Sequence, residues 1–107
     1  MTYRLILKEL NLKPPVDEPL KYIPSLASEL DINRITERRA VELLTKAKEL
    51  RAVTGKDPRG VAAAALYLAS QLNGERLVQR RVAKAAETTE VTLRNRYRGL
   101  KEVLGIV

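Results

Sequence analysis

The sequence predicts an all-α domain, and three observations carry that prediction. Apolar residues recur at helical spacing in one segment after another, with no convincing apolar–polar alternation of the kind a strand needs. Phe and Trp are absent and the four aromatic residues are all Tyr, so the core must be built from Leu, Ile, Val and Ala, which suits packed helices better than a β-sandwich. Helix start and stop signals fall between the periodic segments, at Asn33, Asp57–Pro58, Asn73–Gly74 and Thr89. With 107 residues, 45% of them hydrophobic, the chain has the size of one folded domain.

Taken in order, residues 2–11 read as a short amphipathic helix, ended by the linker "LKPPVDEP". Asp17 can cap the next helix, which runs to about residue 31 with Tyr22, Ile23, Leu26, Ala27 and Leu30 on one face. Pro24 falls inside that segment and should kink the helix or delay its start. Asn33 opens a third helix, roughly 34–51, with Ile35, Val41, Leu44 and Ala47 as its expected apolar face.

"GKDPRG" is a stop followed by a start, with Asp57 as N-cap and Pro58 at the first helical position. From Val61 to Leu72 the following helix is apolar on nearly every side, so it belongs at the centre of the domain. Val61, Ala65, Leu68 and Leu72 are expected to be covered there, and the small Ala residues let neighbouring backbones approach closely. Asn73 and Gly74 end it. Residues 79–86 and 89–104 make two more helices, and the very short connection between them suggests a helix-turn-helix.

Composition also limits the chemistry. There is no Cys and no His, which leaves no disulfide, thiol chemistry, zinc site of the usual kind or His-based acid–base catalysis. Glu37 and Glu42 lie on a polar helix face without a pocket signature, so neither catalysis nor a cofactor or metal is expected. The longest apolar run, "VAAAALYLA", is far too short to cross a bilayer, and "MTYRLILKEL" has charges inside its apolar run and no cleavage site. No membrane partner is expected.

Lys and Arg number 20 against 13 Asp and Glu, a formal net charge of +7. Residues 76–98 hold seven Lys or Arg against two Glu, so most of the excess sits on the last two helices. A basic patch of this kind points to a polyanion, most often nucleic acid.

In "TEVTLRNRYRGL", residues 89–100, one helical face carries Leu93, Tyr97 and Leu100, continuing to Leu104. Val91, Arg94, Asn95 and Arg98 form a second face. Val91 and Leu93 are two positions apart, about 200° around the helix, so the two faces point in nearly opposite directions. Val91 is then displayed beside cations and an amide, where a merely solvated face would carry Glu or Lys. Thr89 is a good N-cap, with Glu90 near the positive end of the helix dipole. An exposed first turn is where a recognition helix meets base edges: Arg can pair with guanine and Val can pack on a thymine methyl. On the preceding helix, Arg80 and Lys84 should be exposed opposite Val82 and Ala83, placed for phosphates.

"TYRLILKELNL" (2–12) also aligns with "RYRGLKEVLGI" (96–106), placing Tyr3–Arg4 on Tyr97–Arg98, Leu10 on Leu104 and Leu12 on Ile106. Such a match is expected if the first helix is the last helix of a preceding similar repeat. "GKDPRGVAAAALYLAS", followed by "VQRRVAKAAETTEVTLRNRYRGL", resembles the second cyclin-type repeat of the archaeal transcription factor B and eukaryotic transcription factor IIB family, the archaeal version more closely. The likeness covers residues 17–107, with residues 1–16 as the end of the first repeat and a linker.

The resemblance implies a cyclin-like five-helix fold, with a central buried helix and the helix-turn-helix at 79–104. It implies binding of double-stranded promoter DNA together with TATA-binding protein, in an archaeal cytoplasm at the nucleoid. The last two helices would read the B-recognition element upstream of the TATA box through the major groove. Val91 and Arg94 match base-contacting positions, and Gln79 matches a position on the DNA backbone. Asn95 and Arg98 would join Arg80 and Lys84 on the backbone. Lys56 and Arg59, with Gly60 at the start of the central helix, are reasonable phosphate binders on physical grounds. The family's zinc ribbon and polymerase-facing segment have no counterpart in these residues, so RNA polymerase would be met only through family regions outside them.

Three positions depart from the family pattern. Glu87 stands where the turn usually has a left-handed Gly, Thr88 replaces an apolar residue, and Val78 replaces a capping Thr. These changes bear on the turn geometry and on the stability of the first helix of the pair. The alternative function is a protein–protein adaptor, which would bind without DNA sequence preference and independently of salt.

Overall fold

The computed structural model describes residues 19–50 and 57–106. The expected first helix, the division at residue 16, the Asp17 cap and Lys56 lie outside them. The described residues form five α-helices and one 3-10 turn, with no strand among them.

The chain enters through the 3-10 turn Pro19–Tyr22, and α1 follows as Ile23–Glu29. Pro24 occupies the first turn of α1, where its missing N–H has no intrahelical partner to lose, so it sets the start and introduces no kink. Ile23, Leu26, Ala27 and Leu30 are buried, as the spacing requires.

Helix α2, Arg34–Glu49, starts where Asn33 Oδ1 accepts from the Ile35 N–H at 2.7 Å. Its buried row corrects the sequence expectation. Thr36, Ala40, Leu44 and Ala47 face inward, whereas Ile35 is 67% exposed and Val41 38%. Three of the four inward side chains are small and suit a close approach to the alanine-rich α3, against which α2 packs. The Thr36 hydroxyl is satisfied there, accepting from the Asn73 side-chain amide at 3.0 Å.

Helix α3 spans Pro58–Leu72 and every residue from Gly60 to Ser70 is buried. It packs against the 3-10 turn and all four other described helices, which is the central place its all-round apolarity demands. Asp57 caps it by accepting from the Gly60 N–H at 3.2 Å. A side chain at position 60 would put its Cβ 3.0 Å from the capping oxygen, so glycine keeps the cap open. Ser70, buried in the same helix, donates to the Tyr67 carbonyl at 2.7 Å. Leu72 is a second correction. It is 41% exposed, because the last turn, together with Gln71 and Asn73, extends beyond the cover of the neighbours.

Two further helices follow: α4, Gln79–Ala85, and α5, Glu90–Leu104. Val82 and Ala83 anchor α4 in the core; Leu93 and Leu100 anchor α5, with Tyr97, Leu104 and Ile106 packed at its margin. Burying a side chain the size of Leu or Val contributes about 1.5–3 kcal/mol, so these few anchors dominate the docking of the pair.

Helices α1, α3, α4 and α5 end in one way. The residue after the last turn takes positive φ, and the next N–H reaches back to a carbonyl of that turn: Ile32 to Ala27, Glu75 to Ser70, Thr88 to Ala83, Ile106 to Lys101. Gly74 and Gly105 adopt the positive φ freely, while Asp31 and Glu87 adopt it as non-glycine residues at 57° and 58°. No described helix is long and apolar enough to cross a membrane.

Candidate nucleic-acid interface

The connection between α4 and α5 is three residues of turn and one cap. Ala86 is buried beneath it, and Glu87 takes the left-handed conformation that the family pattern assigns to Gly. The substitution therefore leaves the turn geometry in place. Glu87 acquires a partner across the fold, since Arg59 at the start of α3 donates closely to its carboxylate. The Arg59 guanidinium also lies over the Tyr22 ring, 5.3 Å from its centroid. Arg59 is thus engaged by an acid and an aromatic face.

Val78 precedes α4 in an extended conformation and supplies no side-chain cap, as its apolar side chain dictates. Thr89 does the opposite for α5. Its Oγ1 accepts from the Thr92 N–H at 3.1 Å and pairs with the Thr92 hydroxyl at 3.0 Å, with Glu90 in the first turn.

With Leu93 and Leu100 fixed inward, the opposite face of α5 points to solvent. Val91 is 58% exposed, and Asn95 and Arg98 are exposed with it. Arg80 and Lys84 are exposed on α4, back to back with buried Val82 and Ala83, and Arg81 is exposed beside them. The wheel reading of both helices holds.

Arg94 is the member of this face with internal partners. Its Nη1 donates to Gln79 Oε1 at 3.2 Å and lies 3.9 Å from Glu90 Oε1, one turn back. Gln79 Nε2 in turn donates to the Tyr67 hydroxyl at 3.1 Å. Gln79 and Arg94 were singled out separately in the sequence; the structure brings them together. Tyr67 was missed there, although it is the one aromatic residue of α3 and its hydroxyl, 7% exposed as a residue, needs a partner. Its ring packs edge-to-face on Tyr97, centroids 5.0 Å apart at 72°. Tyr97 also donates closely to Gln71 and carries Lys101 over its face, 5.2 Å from the centroid.

The arrangement is a pair of packed helices showing hydrogen-bond donors, cations and the exposed apolar side chain of Val91. Among the described residues no group of three or more His, Cys, Asp or Glu comes together in a way that could hold a metal ion. Fold and surface define a class: a small helical domain, wrapped around a buried central helix, that ends in a basic helix-turn-helix.

The comparisons narrow the class. The family model described as "Transcription factor TFIIB repeat" matches residues 12–103, and the chain belongs to that family. The arrangement around α3 is the cyclin-like helical fold of that repeat. Among curated relatives, "Transcription initiation factor IIB" of Methanopyrus kandleri is 48% identical over 104 residues, covering 97% of this chain and 34% of the relative. The protein of the same name from Archaeoglobus fulgidus is 50% identical over 105 residues, covering 98% and 32%. That of Pyrodictium occultum is 46% identical, covering 97% and 34%. The chain spans about a third of the length of the curated relatives it matches.

Proposed function

We propose that this chain acts in transcription initiation as the promoter-binding second repeat of an archaeal initiation factor, and that it reads base pairs upstream of the TATA box in complex with TATA-binding protein. The observation that carries the reading is the outward face of α5. It presents an exposed Val91 and a braced Arg94 in its first two turns, on a helix whose other side is locked into the core. The local charge of residues 76–98 supports it, because a phosphate backbone rewards concentrated cations through counterion release.

On this reading Arg94 pairs with a guanine edge and Val91 packs against a neighbouring base or methyl group. Arg80, Lys84, Asn95 and Arg98 hold the backbone and set the register, with Gln79 beside them. Arg59 adds a phosphate contact from the start of α3 by exchanging the Glu87 carboxylate for a phosphate, and Lys56, outside the described residues, is a further phosphate-binding candidate. No step requires catalysis or a cofactor.

The test is selection from a duplex library that carries a TATA element with the upstream base pairs randomised, in the presence of TATA-binding protein. Enrichment of a defined upstream sequence, with affinity falling steeply as salt rises, is the expected result. Recovery of unselected sequence, or binding indifferent to salt, would overturn the assignment in favour of a protein adaptor.

A further inference from the structure

The contact from α3 to Arg94 has a fixed polarity. Arginine carries donors only, so the side of the Gln79 amide that faces Arg94 must be its oxygen. The amide nitrogen is then turned to Tyr67, and the tyrosine oxygen accepts. The Tyr67 hydroxyl, which can donate or accept, does not choose that orientation; it gives the amide a second partner, fixed on the central helix, that holds the Gln79 side chain in place independently of Arg94. Without that hydroxyl, the Gln79 amide would be held in this chain of contacts by Arg94 alone and would no longer fix where the guanidinium lies.

Tyr67 itself cannot drift, because its ring is buried on the central helix and packed edge-to-face on Tyr97 of α5. The contacts of Arg94 with Gln79 and Glu90 both use Nη1. The Nε and Nη2 edge is used by neither, and two adjacent donors are what bidentate pairing with a guanine needs.

We propose that Tyr67 is a positioning residue that determines DNA specificity: through Gln79, its hydroxyl sets the Arg94 guanidinium in the orientation that reads a base. This rests on the reading of α5 as the recognition helix. It adds that base selectivity originates in part from a hydroxyl on the domain's central helix, which itself touches no DNA.

The experiment compares the unaltered chain with Tyr67→Phe and Arg94→Ala. Each is bound, with TATA-binding protein and at fixed salt, to a TATA duplex carrying the enriched upstream sequence and to one carrying that sequence shuffled. Tyr67→Phe keeps the ring and its packing on Tyr97. It should lower the ratio of the two affinities by roughly two- to tenfold, the span expected for one hydrogen bond, with shuffled-duplex affinity unchanged. In the free protein, the NMR resonances of the Gln79 side-chain amide should move in the same variant. A merely structural role would instead lower thermal stability and weaken both duplexes equally. An unchanged ratio for Tyr67→Phe alongside a collapsed ratio for Arg94→Ala overturns the positioning role and leaves α5 as the recognition helix. An unchanged ratio for Arg94→Ala overturns both together.

Discussion

Helices α3 and α5 have the same length, 15 residues each, and opposite destinies. In α3, eleven consecutive residues are buried and its polar groups are tied up internally, Ser70 on its own helix and Tyr67 on Gln79. In α5 only Leu93 and Leu100 are buried, Tyr97 and Leu104 pack at the core margin, and Val91, Asn95 and Arg98 stay exposed. The contrast shows how a small domain separates packing from display. One helix gives up every face to packing, so another can stand on two anchors and keep its cations in solvent. The two are also coupled, because the Tyr67 hydroxyl extends the order of the first into the outward face of the second.

The largest effect that would break this comparison is on stability. Leu68→Ala, on α3, should destabilise the domain by about 2–5 kcal/mol in denaturant or thermal unfolding, because the side chain is fully buried and its removal leaves a cavity that a close-packed core fills only in part. Val91→Ala, on α5, should change stability by less than about 0.5 kcal/mol. Comparable losses at the two positions would mean that α5 is not the displayed helix.

Next in size comes DNA binding. Arg94→Ala should cost about 1–3 kcal/mol on the enriched duplex and much less on a shuffled one. On the proposed reading Arg98, one turn further along, meets the backbone, so Arg98→Ala should weaken both duplexes alike. Gel-shift titrations of both variants on both DNAs at fixed salt decide the matter. Four equal losses would reduce the face to a solvated surface.

The turn that joins α4 and α5 offers a smaller effect, of opposite sign. Glu87 pays for its left-handed backbone, a cost of about 1–2 kcal/mol for an L-residue, and recovers up to about 1 kcal/mol through its exposed ion pair with Arg59. Glu87→Gly should therefore raise stability by up to about 2 kcal/mol, while removing the ion pair of Arg59. A melt showing destabilisation would make the ion pair the stronger of the two.

The smallest effect sharpens the role of α4. Neutralising one phosphate-contacting cation, by Lys84→Gln or Arg80→Gln, should flatten the plot of log affinity against log salt by roughly one unit and leave sequence preference alone. An unaltered slope removes that residue from the interface.

Much of this was legible in the residues themselves. The central place of α3 follows from a helix with no polar side to leave outside, whatever its neighbours are. The caps at Asn33, Asp57 and Thr89 are equally local: each side chain bonds an N–H two or three residues away, so no tertiary information enters. The two-faced α5 was readable because its apolar and cationic rows lie nearly opposite, leaving one way to bury it.

Helix α2 was different. Its sequence offers a row beginning at Ile35 and another beginning at Thr36, only about 100° apart, and hydrophobicity favours the wrong one. What decided was the shape of α3: its alanines admit a close neighbour, so Ala40, Ala47 and Thr36 go in, Asn73 satisfies the threonine, and Ile35 stays out. The same holds for Tyr67, Gln79 and Arg94, which lie on three helices and are 12 and 15 residues apart in sequence. Periodicity can tell which side of its own helix each residue occupies. Only the angles at which those helices pack bring a hydroxyl, an amide and a guanidinium within hydrogen-bonding distance, because directional bonds between elements depend on positions that no single element specifies.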